Sequence, residues 1–132
     1  MAFPEQWLKS AIETAGGCLA WPMEAPEGAA LPYVIYGRMS TQRETIMAGP
    51  TPVNVNPSAQ FSVLLYASSY FAVKTLADAV RAALHNFNGT ASGVTIRECL
   101  IMEELDGPPD YLEGQDKPTY TVEHTYQIRW EE

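Results

Sequence analysis

The end of the chain constrains the fold most. Tyr120, Val122, His124, Tyr126, Ile128 and Trp130 alternate with Thr121, Glu123, Thr125, Gln127, Arg129 and Glu131. A period of two requires a β-strand with one face buried and one face polar. At about 3.4 Å per residue the strand runs roughly 35–40 Å, while most strands hold about 5–6 residues. A strand this long overhangs its own sheet or pairs with a long hairpin partner. Val94 to Leu105 is that partner, joined through the acidic turn segment Asp106 to Pro118 with its Gly107-Pro108-Pro109. Apolar residues on both faces leave the partner's register open.

Two segments carry helical spacing instead. Phe3, Trp7, Leu8, Ala11, Ile12 and Ala15 fall on one stripe, Pro4 suits a first helical turn and Gly16-Gly17 ends the run, which predicts a helix over 4–15. Val73, Leu76, Ala77, Val80, Ala83 and Leu84 form a second stripe behind the candidate N-caps Ser68 and Ser69, ending near Asn88-Gly89. Leu31 to Tyr36 and Gln60 to Ala67 read as strands, and Trp21 to Pro32 as an irregular connection. Strands grouped around a mid-chain helix indicate an α+β fold. We expect an antiparallel or mixed sheet of about four to five strands with two helices packed on it, in a single domain over 1–132.

The stretch 37–58 is a long excursion for so small a domain. Thr45-Ile46-Met47 continues a strand, whereas Gly49-Pro50-Thr51-Pro52 and Asn54-Val55-Asn56-Pro57 are turn chemistry. Ile46, Met47, Val53, Val55, Tyr111 and Leu112 are apolar but follow no core period. We expect Met39–Pro57 and Asp106–Lys117 to be mobile alone and to order on association, burying these residues.

Composition narrows the function. The net charge is -8, from 16 acidic and 8 basic side chains, and no two basic residues are adjacent. Specific nucleic-acid binding would call for a basic patch, and base stacking for interleaved Arg and Lys. Ten carboxylates lie between Glu98 and Glu132, opposed there only by Lys117 and Arg129. Cys18 and Cys99 belong to no CxxC pair, and there is no GxSxG, GxxxxGK[ST], GxGxxG or HExxH. Glu103, Glu104, Asp106 and Asp110 lack the glycine and terminal glutamate of an EF-hand. His85 reads as a residue at a helix C-terminus, and His124 as a member of an aromatic strand face. No signal peptide or apolar run of bilayer length is present, so we expect synthesis in the cytoplasm with reduced thiols. Neither catalysis nor a cofactor or metal is indicated.

Pro32-Tyr33-Val34-Ile35-Tyr36, a strand ending at Tyr66-Ala67, the helix Leu76-Ala77-Asp78-Ala79-Val80-Arg81-Ala82-Ala83-Leu84, an acidic loop with Tyr111-Leu112 and a closing Tyr126-Gln127-Ile128-Arg129-Trp130 together resemble the tail terminator, or tail-completion, family of long-tailed bacteriophages. The resemblance runs from about Trp7 to Trp130 and is one of element order; the proline-rich insert Pro50–Pro57 departs from it. It implies a structural subunit of the virion, assembled in the host cytoplasm. Copies would form a ring, usually hexameric, at the head-proximal end of the tail, with the tail tube protein and the head–tail connector as partners and no membrane contact. Ring and partner contacts would fall on Met39, Arg43, Ile46, Met47, Val53, Val55, Tyr111 and Leu112. An acidic lumen of Glu103, Glu104, Asp106, Asp110 and Glu113 would let DNA slide by charge repulsion. Another neck or baseplate adaptor is an alternative. A small-molecule-binding or enzymatic α+β dimer is a second, which would need a pocket lined by His124 and Cys99.

Overall fold

A computed structural model describes residues 3–26, 28–43, 45–49, 51–54, 56–109, 111 and 118–131, with the backbone alone for 45–48 and 51–54. Helix α1 spans Pro4–Gly16 and buries Trp7, Leu8 and Ile12; Gly17, at φ 63°, ends it in the left-handed conformation. Gln6 Oε1 accepts from the Phe3 N–H at the start. Helix α2 spans Tyr70–Leu84, one residue after Ser69, whose hydroxyl accepts from the Ala72 N–H at 3.1 Å. It buries Val73, Leu76, Ala77, Val80 and Leu84 and stops several residues before the Asn88-Gly89 end expected.

The strands are β1 (Leu19–Pro22), β2 (Tyr33–Gln42), β3 (Thr45–Ala48), β4 (Thr51–Asn54), β5 (Ser58–Ala67), β6 (Gly89–Ala91), β7 (Val94–Asp106) and β8 (Tyr120–Glu131). Six of them make one sheet in the order β1-β2-β5-β8-β7-β6, and β3 and β4 form a separate ladder. The fold is α+β as expected, but the sheet has six strands and is mixed, because β1 runs parallel to β2. The two additional strands, β1 and β6, are four and three residues long, too short for a period to show. Met39–Gln42 is not part of a loop: it completes β2 against β5. The excursion beyond it is a hairpin, with Ile46 opposite Val53 and Met47 opposite Pro52.

β8 does not overhang. It pairs with β5 from Tyr120 to Arg129 and with β7 from Val122 to Glu131, which makes it a central strand in a hairpin with its expected partner. β7 carries two register shifts, at Arg97 and Met102, and these explain its two apolar faces. The extra residue at Met102 turns Glu103 to the face of Thr125 and Glu104 to the face of His124.

Both helices cover one face of the sheet. Val34, Tyr36, Phe61, Val63, Leu65, Val122, Tyr126, Ile128 and Trp130 point into that layer and form one buried cluster with the helix stripes. No helix is long and apolar enough to cross a membrane.

Candidate functional site

The opposite face of the sheet has no layer over it among the described residues. β8 meets that condition by presenting Thr121, Glu123, Thr125 and Gln127. β1 and the ends of β2 and β5 beside it do not, although Ser40, Gln60 and Ser62 are polar further along. Their alternation and register place Leu19, Trp21, Tyr33, Ile35, Met39, Leu64 and Tyr66 on the uncovered side. Leu19 is 58% exposed, Met39 59% and Met23 74%. Tyr33 and Tyr66 stack at 5.0 Å between ring centroids. Met23 is held at φ 64°, which costs a side-chain-bearing residue about 1–2 kcal/mol. Its N–H donates to the Tyr36 carbonyl at 2.8 Å. Its sulfur lies 2.5 Å from where a Cβ added at position 37 would be, so a side chain there would have to push the flexible end of Met23 aside. A shallow cavity of about 160 Å³ lies beside it, lined by Ile35, Met39, Ser62 and Leu64 among others. The buried Trp21 Nε1 finds no acceptor among the described residues.

The β7 side of the same face is acidic. Register places Glu98, Glu103 and Glu123 there, around Leu100 and Leu105. None of the three forms an ion pair among the described residues, although Glu98 lies opposite Arg129. The face is therefore divided: apolar over β1 and the adjoining ends of β2 and β5, uncharged polar at Ser40, Gln60 and Ser62, and carboxylate-bearing over β8–β7.

The helix-covered side holds a polar network instead. His124 is fully buried; its Nε2 lies 2.6 Å from Glu104 Oε2 and its Nδ1 2.9 Å from the Tyr126 hydroxyl. With Glu104 ionised, Nε2–H donates to the carboxylate and Nδ1 accepts from the tyrosine. Lys74 lies 3.7 Å from Glu104 and 3.0 Å from Asp106, which also accepts from the Tyr70 hydroxyl. Lys74 holds the Asp106 carboxyl below its ordinary range. Burial pushes the His124 pKa down, against the Glu104 hydrogen bond, and pushes the Cys99 thiol up to about 12. That thiol stays protonated near neutrality, a poor nucleophile. At pH 8 a thiol reagent is expected to modify half-buried Cys18 in the native chain and to reach Cys99 only after unfolding; equal rates at the two would contradict this packing. His85 caps α2 and accepts from the Ile101 N–H at 3.2 Å through Nδ1, while the Asn86 N–H donates to the Cys99 carbonyl, so this turn covers part of the β7 edge.

Residues 8–107 match the family described as Tail completion protein gp17. The chain belongs to this family. The match runs from α1 through β7. The fold is similar, with a TM-score of 0.54, to a chain from the virion of a native gene transfer agent particle. That chain is 13% identical, and the likeness covers 95% of this chain and 84% of that one. At that identity the likeness concerns the fold alone. No curated protein sequence matches.

The tail completion fold distributes the expected contact residues widely. Met39 belongs to the uncovered face. Arg43 follows the end of β2 and is engaged within the chain. Ile46, Met47 and Val53 lie on the β3–β4 hairpin, and Tyr111 is 64% exposed. Val55 and Leu112 lie outside the described residues, as do Asp110 and Glu113. Of the remaining acidic residues, Glu103 faces the uncovered side, whereas Glu104 and Asp106 face the helices and are engaged by His124 and Lys74. Expectation from sequence missed Leu19, Trp21, Ile35 and Leu64. Their signal was the lack of alternation in Tyr33-Val34-Ile35-Tyr36.

Proposed function

We propose that this tail completion protein closes the head-proximal end of the tail tube as a hexameric ring and presents a surface to the head connector. It acts by binding and catalyses no reaction. The observation that supports this reading is the uncovered sheet face. A monomer gains nothing by exposing Leu19, Met23 and Met39 beside the half-buried Ile35 and Leu64, and such apolar patches mark sites of association. Ring closure calls for head-to-tail contacts between copies. The outer edges of β2 at Gly37–Gln42 and of β7 at Met102–Asp106 carry no neighbouring strand among the described residues, and with the β3–β4 hairpin they are the places for such contacts.

Each copy brings a formal charge of -8, so copies repel one another and salt favours closure. Sedimentation across a salt series is expected to show monomer at low salt and a hexamer-sized species at high salt. Added to polymerising tube protein, the chain is expected to arrest growth, leaving tubes whose length follows the time of addition. Tubes that grow equally long with and without it would defeat the proposal.

A further inference from the structure

We infer that the divided sheet face receives a different protein, one that pairs an apolar ridge with a basic margin, and that a second copy of this chain does not fill it. The inference rests on the reading of the chain as a tail ring and assigns one of its surfaces. The apolar half, around Leu19, Met23, Ile35 and Leu64, calls for an apolar cover. It is adaptable as well, because methionine side chains refit to irregular neighbours. Met23 holds a strained backbone over Gly37, and strain of this kind gathers at binding surfaces. The acidic half decides between occupants. Glu98, Glu103 and Glu123 carry charges that no described residue pairs with, so the partner supplies cations.

Among the described residues a second copy has few to give, Lys117 alone of the eight basic residues lying outside them. Lys9 is held by Glu13, Arg38 by Glu5, Lys74 by Glu104 and Asp106, Arg81 by Asp78 and Arg97 by Glu131. Arg43 is engaged within the chain, and Arg129 stands within the acidic half itself. Another copy would also add its own charge of -8. The two kinds of contact therefore respond to salt in opposite directions: closure of copies strengthens as salt rises, and docking of a basic partner weakens.

The test uses the full chain, preassembled tail tubes and head connector rings from the same particle, the last two offered separately. One variant is Glu103→Lys with Glu123→Lys, both on the surface. The other is Leu19→Ser with Ile35→Ser. Thermal melting establishes that each is folded, and the surface pair keeps the test alive if the second is not. Both are expected to form the same assembly as the wild type and to bind tubes or connectors about tenfold more weakly in co-sedimentation. Wild-type binding should weaken with salt more steeply than that of the charge-reversed variant. Failure of the folded charge-reversed variant to assemble would make this the face between copies and overturn the inference. Undiminished binding by that variant would also overturn it, leaving the acid as a channel lining and the ring reading intact. A wild-type chain that binds neither tubes nor connectors would instead remove the ring reading itself.

Discussion

Trp130→Ala is expected to remove about 3–5 kcal/mol from the free energy of unfolding, read as a lower urea midpoint at unchanged slope. Trp130 is 1% exposed and stands on central β8 opposite Ile96. Its ring lies 4.9 Å from the guanidinium carbon of Arg38, which also lies 5.5 Å from the Phe61 ring centroid. Arg38 is fastened by Glu5 of α1 at 2.6 Å. Removing the indole opens a cavity and takes away an aromatic face from a partly buried cation whose Nε already has no partner among the described residues. Domains of this kind are stable by about 5–15 kcal/mol in total, so the variant is expected to approach unfolding at physiological temperature. Phe71→Ala, at a side chain 80% exposed, should cost less than about 0.5 kcal/mol. A similar loss in the two variants would refute this account of the core.

The legible parts of this fold are those where one physical signal dominates. β8 alternates because it is central with one covered face, and α1 and α2 each bury a stripe against that face. Their order fixed the class, and the pairing of β7 with β8 followed from length. β1 and β6 were hidden, since four or three residues cannot display a period. The bulges at Arg97 and Met102 were hidden too, because an inserted residue changes which side chains face the core without changing composition. The uncovered apolar face was not legible for a related reason. Apolar residues without a period were sought in loops, at Ile46, Met47 and Val53, where irregularity is easy to notice. The uncovered apolar surface lies on strands. With helices on one face only, the unbroken Tyr33-Val34-Ile35-Tyr36 means that the other face is apolar as well. That conclusion needs the layer count, which the sequence does not display.

His124→Ala is expected to cost about 3 kcal/mol, from the cavity left by a fully buried ring and from a Tyr126 hydroxyl and a Glu104 carboxylate deprived of their partner. The same network gives stability a dependence on pH whose sign follows from burial. Desolvation lowers the His124 pKa in the folded chain; Lys74 and Arg81 on α2 act in the same direction, and Glu104 on β7 opposes them. Unfolded, the imidazole titrates at its ordinary value of about 6.5. As pH falls below that value, the unfolded chain takes up a proton that the folded chain refuses, so stability is lost. It is fully present above about 6.5 and declines toward the lower folded pKa. A second decline follows in stronger acid, when Asp106, held below its ordinary range by Lys74, is protonated. His124→Gln keeps a donor for Glu104 and an acceptor for Tyr126 but cannot ionise. It should lower stability by a roughly constant amount and flatten the limb between pH 7 and pH 5. Urea midpoints measured across that interval decide the matter: a limb as steep in His124→Gln as in the wild type would assign the dependence to other groups and remove His124 from this role.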